Sequence, residues 1–356
     1  MQRPSLRGLS GHFVARRPHE LGGLLVLTAG LMMAGAFGMS YVAGFGAVHA
    51  VVGSVRWHWL VAALAAMVAS FLGLAFAYRG VFRAGGGRLL TPRQMWSVVL
   101  AGFAGFLSHG GGGLESDALR AAGAAERDVA IRVSALAGLE QAVLAIGGCG
   151  ASIAVLLLGL SKPTPDFTLP WAIIPLPAFL LAFWVGGRYA PRLRHRRGWR
   201  GHVGVFLDVI CLVRGLFERP VTRDPAVLGM GLFWAAETFA MWASLAAFGF
   251  HMSVPALIVG YATGLLVTRR TAPLGGAGLL MVVLPVTIWY SGAPFATAVV
   301  GVFAYRVITL WVPMPLTLAT IPALRQIAVT PQRRPAARSA SGAAAGAATQ
   351  TVRARS

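Results

Sequence analysis

"TRRTAPLGGAG", residues 268–278, lies between two long apolar runs, "VPALIVGYATGLLV" (254–267) and "LLMVVLPVTIWY" (279–290). Pro273 has no amide hydrogen to continue a helical ladder, and Gly275, Gly276 and Gly278 allow a tight turn and the close approach of a ligand or a neighbouring helix. Two readings of the stretch stand open. Arg269 and Arg270 either snorkel from an ordinary surface turn, or they flank the buried tip of a helical hairpin. The choice depends on the solvent around the stretch, which the rest of the chain decides.

That solvent is lipid. Of the 356 residues, 56% are hydrophobic and 12% charged, and the mean hydropathy is +0.69. Ordinary soluble domains carry about 25% charge. A helix needs about 20 apolar residues to cross a bilayer, and seven stretches qualify: 21–55, 57–78, 141–161, 167–187, 238–268, 271–305 and 307–324. The first follows a basic tail without a convincing cleavage site, so it reads as an anchor rather than a cleaved leader. Cys149 and Cys211 have no partners at metal-ligand spacing and read as small apolar filler.

The net charge of +20 is distributed for a membrane, not for nucleic acid. Arginines fall in blocks at the ends of apolar runs, the densest being Arg188, Arg192, Arg194, Arg196, Arg197 and Arg200. The intervening connections carry only Arg56, then Lys162, and no charge at 251–254 or 291–294. By the positive-inside rule the arginine blocks and both termini belong to the cytoplasmic side of a plasma membrane.

This assignment leaves two apolar pieces that must enter and leave on the same side. Residues 95–107 ("MWSVVLAGFAGFL") end in His109 and the glycines Gly110, Gly111, Gly112 and Gly113, and Arg120, Arg127 and Arg132 follow with cytoplasmic character. Residues 255–268 and 275–291 must likewise return to the outer side. Broken backbone at membrane depth requires burial in protein or a watered cavity. The expectation is an all-α polytopic bundle of about six crossings with two re-entrant helical hairpins, one from each face, in the manner of transporters whose broken helices meet near the midplane. Residues 1–20 form a basic cytoplasmic tail, 21–325 the transmembrane domain and 326–356 a basic tail too poor in large apolar residues to fold.

Within this layout the second hairpin is a candidate anion site. The amides opening a helix at about Gly276 carry the positive end of its dipole, with Arg269 and Arg270 alongside. Glu140, Glu237 and Arg306 interrupt apolar runs. A charge at mid-span costs about 2.5–3.5 kcal/mol on insertion scales, so such groups face a partner or a watered cavity. Either they line a polar path, or a glutamate pairs with Arg306 only to hold the bundle. His109 reads as a headgroup contact or as a packed core histidine.

"PLGGAG" (273–278) followed by "YRVITLWVP" (305–313) resembles the transmembrane, flippase-like region of the lysylphosphatidylglycerol synthases and their stand-alone relatives, and "SHGGGGLESDALRAAG" (108–123) is similar to the first glycine-rich re-entrant motif of that family. The resemblance spans most of residues 20–325. It implies two re-entrant hairpins, a membrane glutamate at Glu140 and a lipid headgroup as substrate. The sequence departs from the family pattern at Met281, where a glutamate is common, at Gln141, where an arginine follows the membrane glutamate, and at His109, where a proline is common. These departures point to a divergent substrate.

No catalytic triad, metal cluster or P-loop lysine accompanies these features, and the tail after residue 325 offers no aminoacyl-transfer domain. The sequence therefore implies a protein without enzymatic activity or cofactor. Two functions remain: translocation of a polar lipid between leaflets, with Arg269, Arg270, Pro273, the hairpin glycines, Glu140, Glu237, Arg306 and His109 to Gly113 forming its path, or a non-transporting partner that anchors a cell-envelope enzyme. Membrane lipids are the expected partners, with a homo-oligomer left open.

Overall fold

A computed structural model of the chain describes residues 18–84, 95–96, 98–100, 116, 119–120, 124–193, 199–219, 225–269 and 273–316. The described residues form helices joined by short turns, with no strand among them. In chain order these are α1 (Pro18–Ala43), α2 (Phe45–Gly53), α3 (Trp57–Arg83), α4 (Glu126–Leu157), α5 (Pro165–Ile173), α6 (Pro175–Leu193), α7 (Trp199–Glu218), α8 (Ala226–Ala247), α9 (Val254–Arg269), α10 (Pro273–Tyr290) and α11 (Phe295–Arg306), which runs on into a π-helical turn, Val307–Trp311. Six of these segments are long and apolar enough to cross a membrane: α1, α3, α4, α5 with α6, α8, and α11 with its continuation to Leu316. The expected all-α polytopic bundle is therefore what the chain forms.

The breaks follow from single residues. The apolar run 21–55 is divided at Gly44, whose φ of 85° suits a residue without a Cβ and turns α1 into α2. The run 167–187 is interrupted at Ile174, which keeps helical angles, because Pro175 and Pro177 supply no amides to the helical ladder. Pro273 opens α10 at the first helical position, where its missing N–H costs nothing. The helix thus begins three residues before the expected Gly276, and the glycines lie inside its first two turns.

The centre of the bundle is the antiparallel pair α3 and α8, the most extensive helix contact in the structure. At one end the Arg56 amide donates to the Ala247 carbonyl at 2.7 Å. Further along, Gly73 and Gly229 face each other so closely that a Cβ on Gly229 would lie 2.6 Å from the Ala77 nitrogen and 2.6 Å from the Gly73 oxygen. Without a hydrophobic drive between helices in lipid, such small-residue contacts supply the packing. Gly301 of α11 packs on Leu245 of α8, Gly264 of α9 on Leu284 and Thr287 of α10, and Gly35 of α1 on Met281 of α10.

These contacts also sort the connections. The start of α3 meets the end of α8, where Trp59, Trp242 and His251 stack edge to face with centroids 5.1–5.9 Å apart. The loop after α4 lies on the end of α10, with the Lys162 ammonium 5.6 Å over the Tyr290 ring and Phe167 against it. The four arginine-poor connections thus share one end of the bundle. At the opposite end, buried Arg132 of α4 reaches the C-terminal carbonyls of α3 and donates to Val81 at 3.1 Å, Phe82 at 2.9 Å and Ala84 at 2.6 Å. Arg127 pairs with the buried Asp208 of α7 at 2.8 Å, and Arg120 forms a bidentate pair with Glu126. All three arginines, expected from the sequence to have cytoplasmic character, have partners, and Arg132 acts as a helix cap inside the protein.

Candidate functional site

The glycine break of the first predicted hairpin, His109 and Gly110 to Gly113, and also Arg270, lie outside the described residues. Arg269 is the last residue of α9, and Pro273, Gly275, Gly276 and Gly278 open α10. Gly278 lies against Leu31 of α1, and Met281 is fully buried beneath Gly35. The close approach that these glycines permit is therefore realised, at Gly278, by a neighbouring helix. At Met281, where the resembling family commonly has a glutamate, a thioether fills a contact between two helices, a place that suits no unpaired charge.

The polar centre of the molecule is Glu237 on α8. It is 6% exposed in an otherwise apolar helix. Tyr305 of α11 donates to its Oε2 in a very short hydrogen bond. The Tyr261 hydroxyl of α9 lies 2.5 Å from the Tyr305 hydroxyl and 3.4 Å from Oε2. Tyr305 has one hydrogen, and it goes to Glu237, so Tyr261 donates to Tyr305 and the three groups form a relay. Arg306 lies within electrostatic range of Glu237. No direct ion pair closes between them among the described contacts: Glu237 Oε1 and Arg306 Nε are both buried without a hydrogen-bond partner. Ser70 of α3 also neighbours the carboxylate, but its hydrogen goes to the Met67 carbonyl at 2.8 Å.

Glu237 and Arg306, two of the charges singled out in the sequence, thus lie within electrostatic range of each other, and two tyrosines that were not singled out bond to Glu237. A signal for them existed, because a tyrosine hydroxyl within an apolar span must find a partner, and both Tyr261 and Tyr305 are 2% exposed. Glu140 stands apart from the relay. Its main-chain carbonyl accepts from Trp234 Nε1 at 3.1 Å, one turn before Glu237, and its side chain is half-buried.

Immediately after Arg306 the helix widens. The Val312 amide donates to Val307 at 3.1 Å, five residues back, and Thr309 Oγ1 donates to the Tyr305 carbonyl at 3.0 Å. Pro313 follows and supplies no amide, so the ladder cannot continue in regular α register. Such π turns are frequent at functional sites; here one directly follows the only tyrosine–arginine pair of the final span.

The relay ends at a groove. A cavity of about 510 Å³ lies between α4, α8 and α9, walled by Val143, Gly147, Trp234, Trp242, Leu257 and Tyr261. This is within the size range of small-molecule sites, roughly 300–1,000 Å³. Its lining is apolar except for Thr238 and Tyr261. A second cleft of about 330 Å³, between α4 and α6, is lined by Ile146, Cys149, Phe179 and Phe183 among other wholly apolar or small residues. The first groove, through Tyr261, is the one connected to buried charge.

Six apolar crossings, glycine-packed helices and a buried charged centre define the class: this is a multi-pass helical membrane protein. No protein-family model matches the chain, and no match to a curated protein is found.

Proposed function

We propose that this protein is a flippase-like lipid handler of the kind the resemblance implies, moving a phosphate-bearing polar headgroup between leaflets of the plasma membrane along the path from the α4–α8–α9 groove to Arg306. The observation that carries the reading is the buried Glu237, its Oε1 unpaired, with the half-buried Arg306 in electrostatic range of it and Tyr261 linking it to that groove. Groups of this kind inside a membrane are costly and mark substrate pathways. Arg306 is a permanent cation whose planar fork fits phosphate.

The α9–α10 pair supports a re-entrant role for the second hairpin. Its arms of 16 and 18 residues reach about 24 and 27 Å at 1.5 Å per residue, against about 40 Å for the 27 residues of α3. They pack antiparallel, and the sequence that joins them, from Arg269 to Pro273, holds the arginine and proline motif. A second reading is favoured by the closed hydroxyl relay, which ties α8, α9 and α11 together. On that reading the charges only hold the bundle of a non-transporting partner to a cell-envelope enzyme.

The two readings separate at Arg306. Under the proposal, Arg306→Ala lowers the outer-leaflet fraction of an anionic or zwitterionic phospholipid several-fold while the protein still accumulates, and Arg306→Lys restores part of it. Unchanged leaflet distribution of every major phospholipid in cells holding abundant alanine variant leaves the bundle-holding role.

The same proposal sets the orientation, with both termini and the end carrying Arg192 in the cytoplasm. Single cysteines placed at Asp166 and Arg192, both exposed, in a chain lacking Cys149 and Cys211, report it. An impermeant maleimide added to intact cells should label position 166 and spare position 192. The reverse pattern inverts the whole layout.

A further inference from the structure

The relay connects a buried acid, a fixed cation and the groove, and together they describe a coupling device. We infer that Glu237 takes up a proton when a lipid phosphate occupies Arg306 and gives it back when the phosphate leaves, so that lipid movement is coupled to proton movement. This inference rests on the phosphate-binding role proposed above for Arg306.

Glu237 Oε2 is occupied by the tyrosine relay, whereas Oε1 is buried with no partner, so Oε1 is the oxygen at which a proton would sit. Arg306 lies within electrostatic range of Glu237 with no direct pair among the described contacts, and its Nε is equally unpartnered. The ionised acid neutralises the guanidinium at a distance but does not occupy its donors. When the acid is protonated, the buried charge of the pair rises from zero to plus one, which a low-dielectric span tolerates poorly. An anionic phosphate on Arg306 restores neutrality, so proton and phosphate favour each other's binding and the coupling is reciprocal.

On α3 the neighbour of Glu237 is Ser70, on α9 Tyr261, and on α11 Tyr305 and Arg306. On α4 it is the Glu140 backbone, met through Trp234. Arg306 is thus the one fixed charge among these neighbours. The relay also supplies a route, since Tyr261 lines the groove and passes its hydrogen bond through Tyr305 to the carboxylate. Protonation further weakens the tether on α11, where Tyr305 donates to the carboxylate, because hydrogen bonds to a charged acceptor are about twice as strong as neutral ones.

The test uses the full-length protein purified in maltoside detergent, which carries no phosphate, with dioctanoyl phosphatidylglycerol as the added probe. Infrared difference spectra between alkaline and acid buffer should contain a protonated-carboxyl band that is lost in Glu237→Gln and kept in Glu140→Gln. Addition of the short-chain lipid should move the midpoint of that band to higher pH in the wild type and leave it unmoved in Arg306→Gln. Tyr261→Phe, which preserves the acid but cuts the relay, should retain the band with a displaced midpoint. Absence of any Glu237-dependent band overturns the inference, as does lipid that binds in an Arg306-dependent manner without moving the midpoint; in the latter case the phosphate role of Arg306 survives. Failure of the lipid to bind through Arg306 removes that role and the coupling with it.

Discussion

Gly229→Val should leave little folded protein. The added Cβ would lie 2.6 Å from the backbone of α3 at Ala77 and Gly73 and 2.8 Å from the Phe76 Cβ. Backbone atoms of a packed helix cannot swing aside as a flexible side-chain end can, so the helices must separate along their whole contact. Overpacking of a filled core costs about 1–3 kcal/mol and sometimes more, and the α3–α8 seam is the largest contact in the bundle, so a loss of at least roughly 3 kcal/mol is expected. Gly231→Val, two residues further along α8 where nothing lies within 4 Å, is the matched control. Extraction yield and thermal unfolding of the purified variants check the pair: the first should collapse and the second track the parent. Equal melting of the two would mean that α3 and α8 do not touch at Gly229. The reciprocal change, Gly73→Val, should repeat the effect, because a Cβ there would meet the Phe233 nitrogen at 2.6 Å.

The second large effect is expected at Arg132. One guanidinium nitrogen of α4 serves the carbonyls of Val81, Phe82 and Ala84, which a helix end leaves without intrahelical partners. Asp128, one turn earlier, lies within electrostatic range. Arg132→Met keeps most of the packing volume but strands buried acceptors, each worth about 1–3 kcal/mol when left unsatisfied. A loss of about 3 kcal/mol is expected, with Arg132→Lys intermediate because a single ammonium on a shorter stem reaches fewer of the three oxygens. Amide exchange should quicken selectively in the last turns of α3, around Tyr78 to Ala84, and stay slow around Gly73. Uniform quickening along α3 would mean that Arg132 supports the whole bundle rather than the cap.

The crossings were legible because they are local. A run of uncharged residues long enough to span hydrocarbon must become a helix there, since no other open backbone satisfies its own hydrogen bonds. Pro273 signals a break by its own backbone chemistry, whereas the breaks at Gly44 and Pro175 emerge only in the structure. Arginine distribution likewise grouped the connections at Arg56, Lys162, 251–254 and 291–294, which the structure gathers at one end.

The site was legible only in part. Glu237 and Arg306 announce themselves by the cost of a charge among apolar residues, but nothing in the sequence says which of Glu140 and Glu237 meets Arg306. That choice depends on helix rotation and on the register of α8 against α9 and α11.

What the sequence determined by itself is therefore the solvent and the number and class of the long crossings, because each follows from residues adjacent in the chain. Only the tertiary structure decided that Gly73 sits on Gly229, that Arg132 caps α3 rather than facing lipid headgroups, and that Tyr261 and Tyr305 relay a hydrogen bond from a groove to Glu237. Each of these joins residues on different helices, and in a bundle of uniformly apolar helices the hydrophobic pattern fixes neither rotation nor partner. Close packing of small residues and the need to satisfy buried polar atoms select them instead.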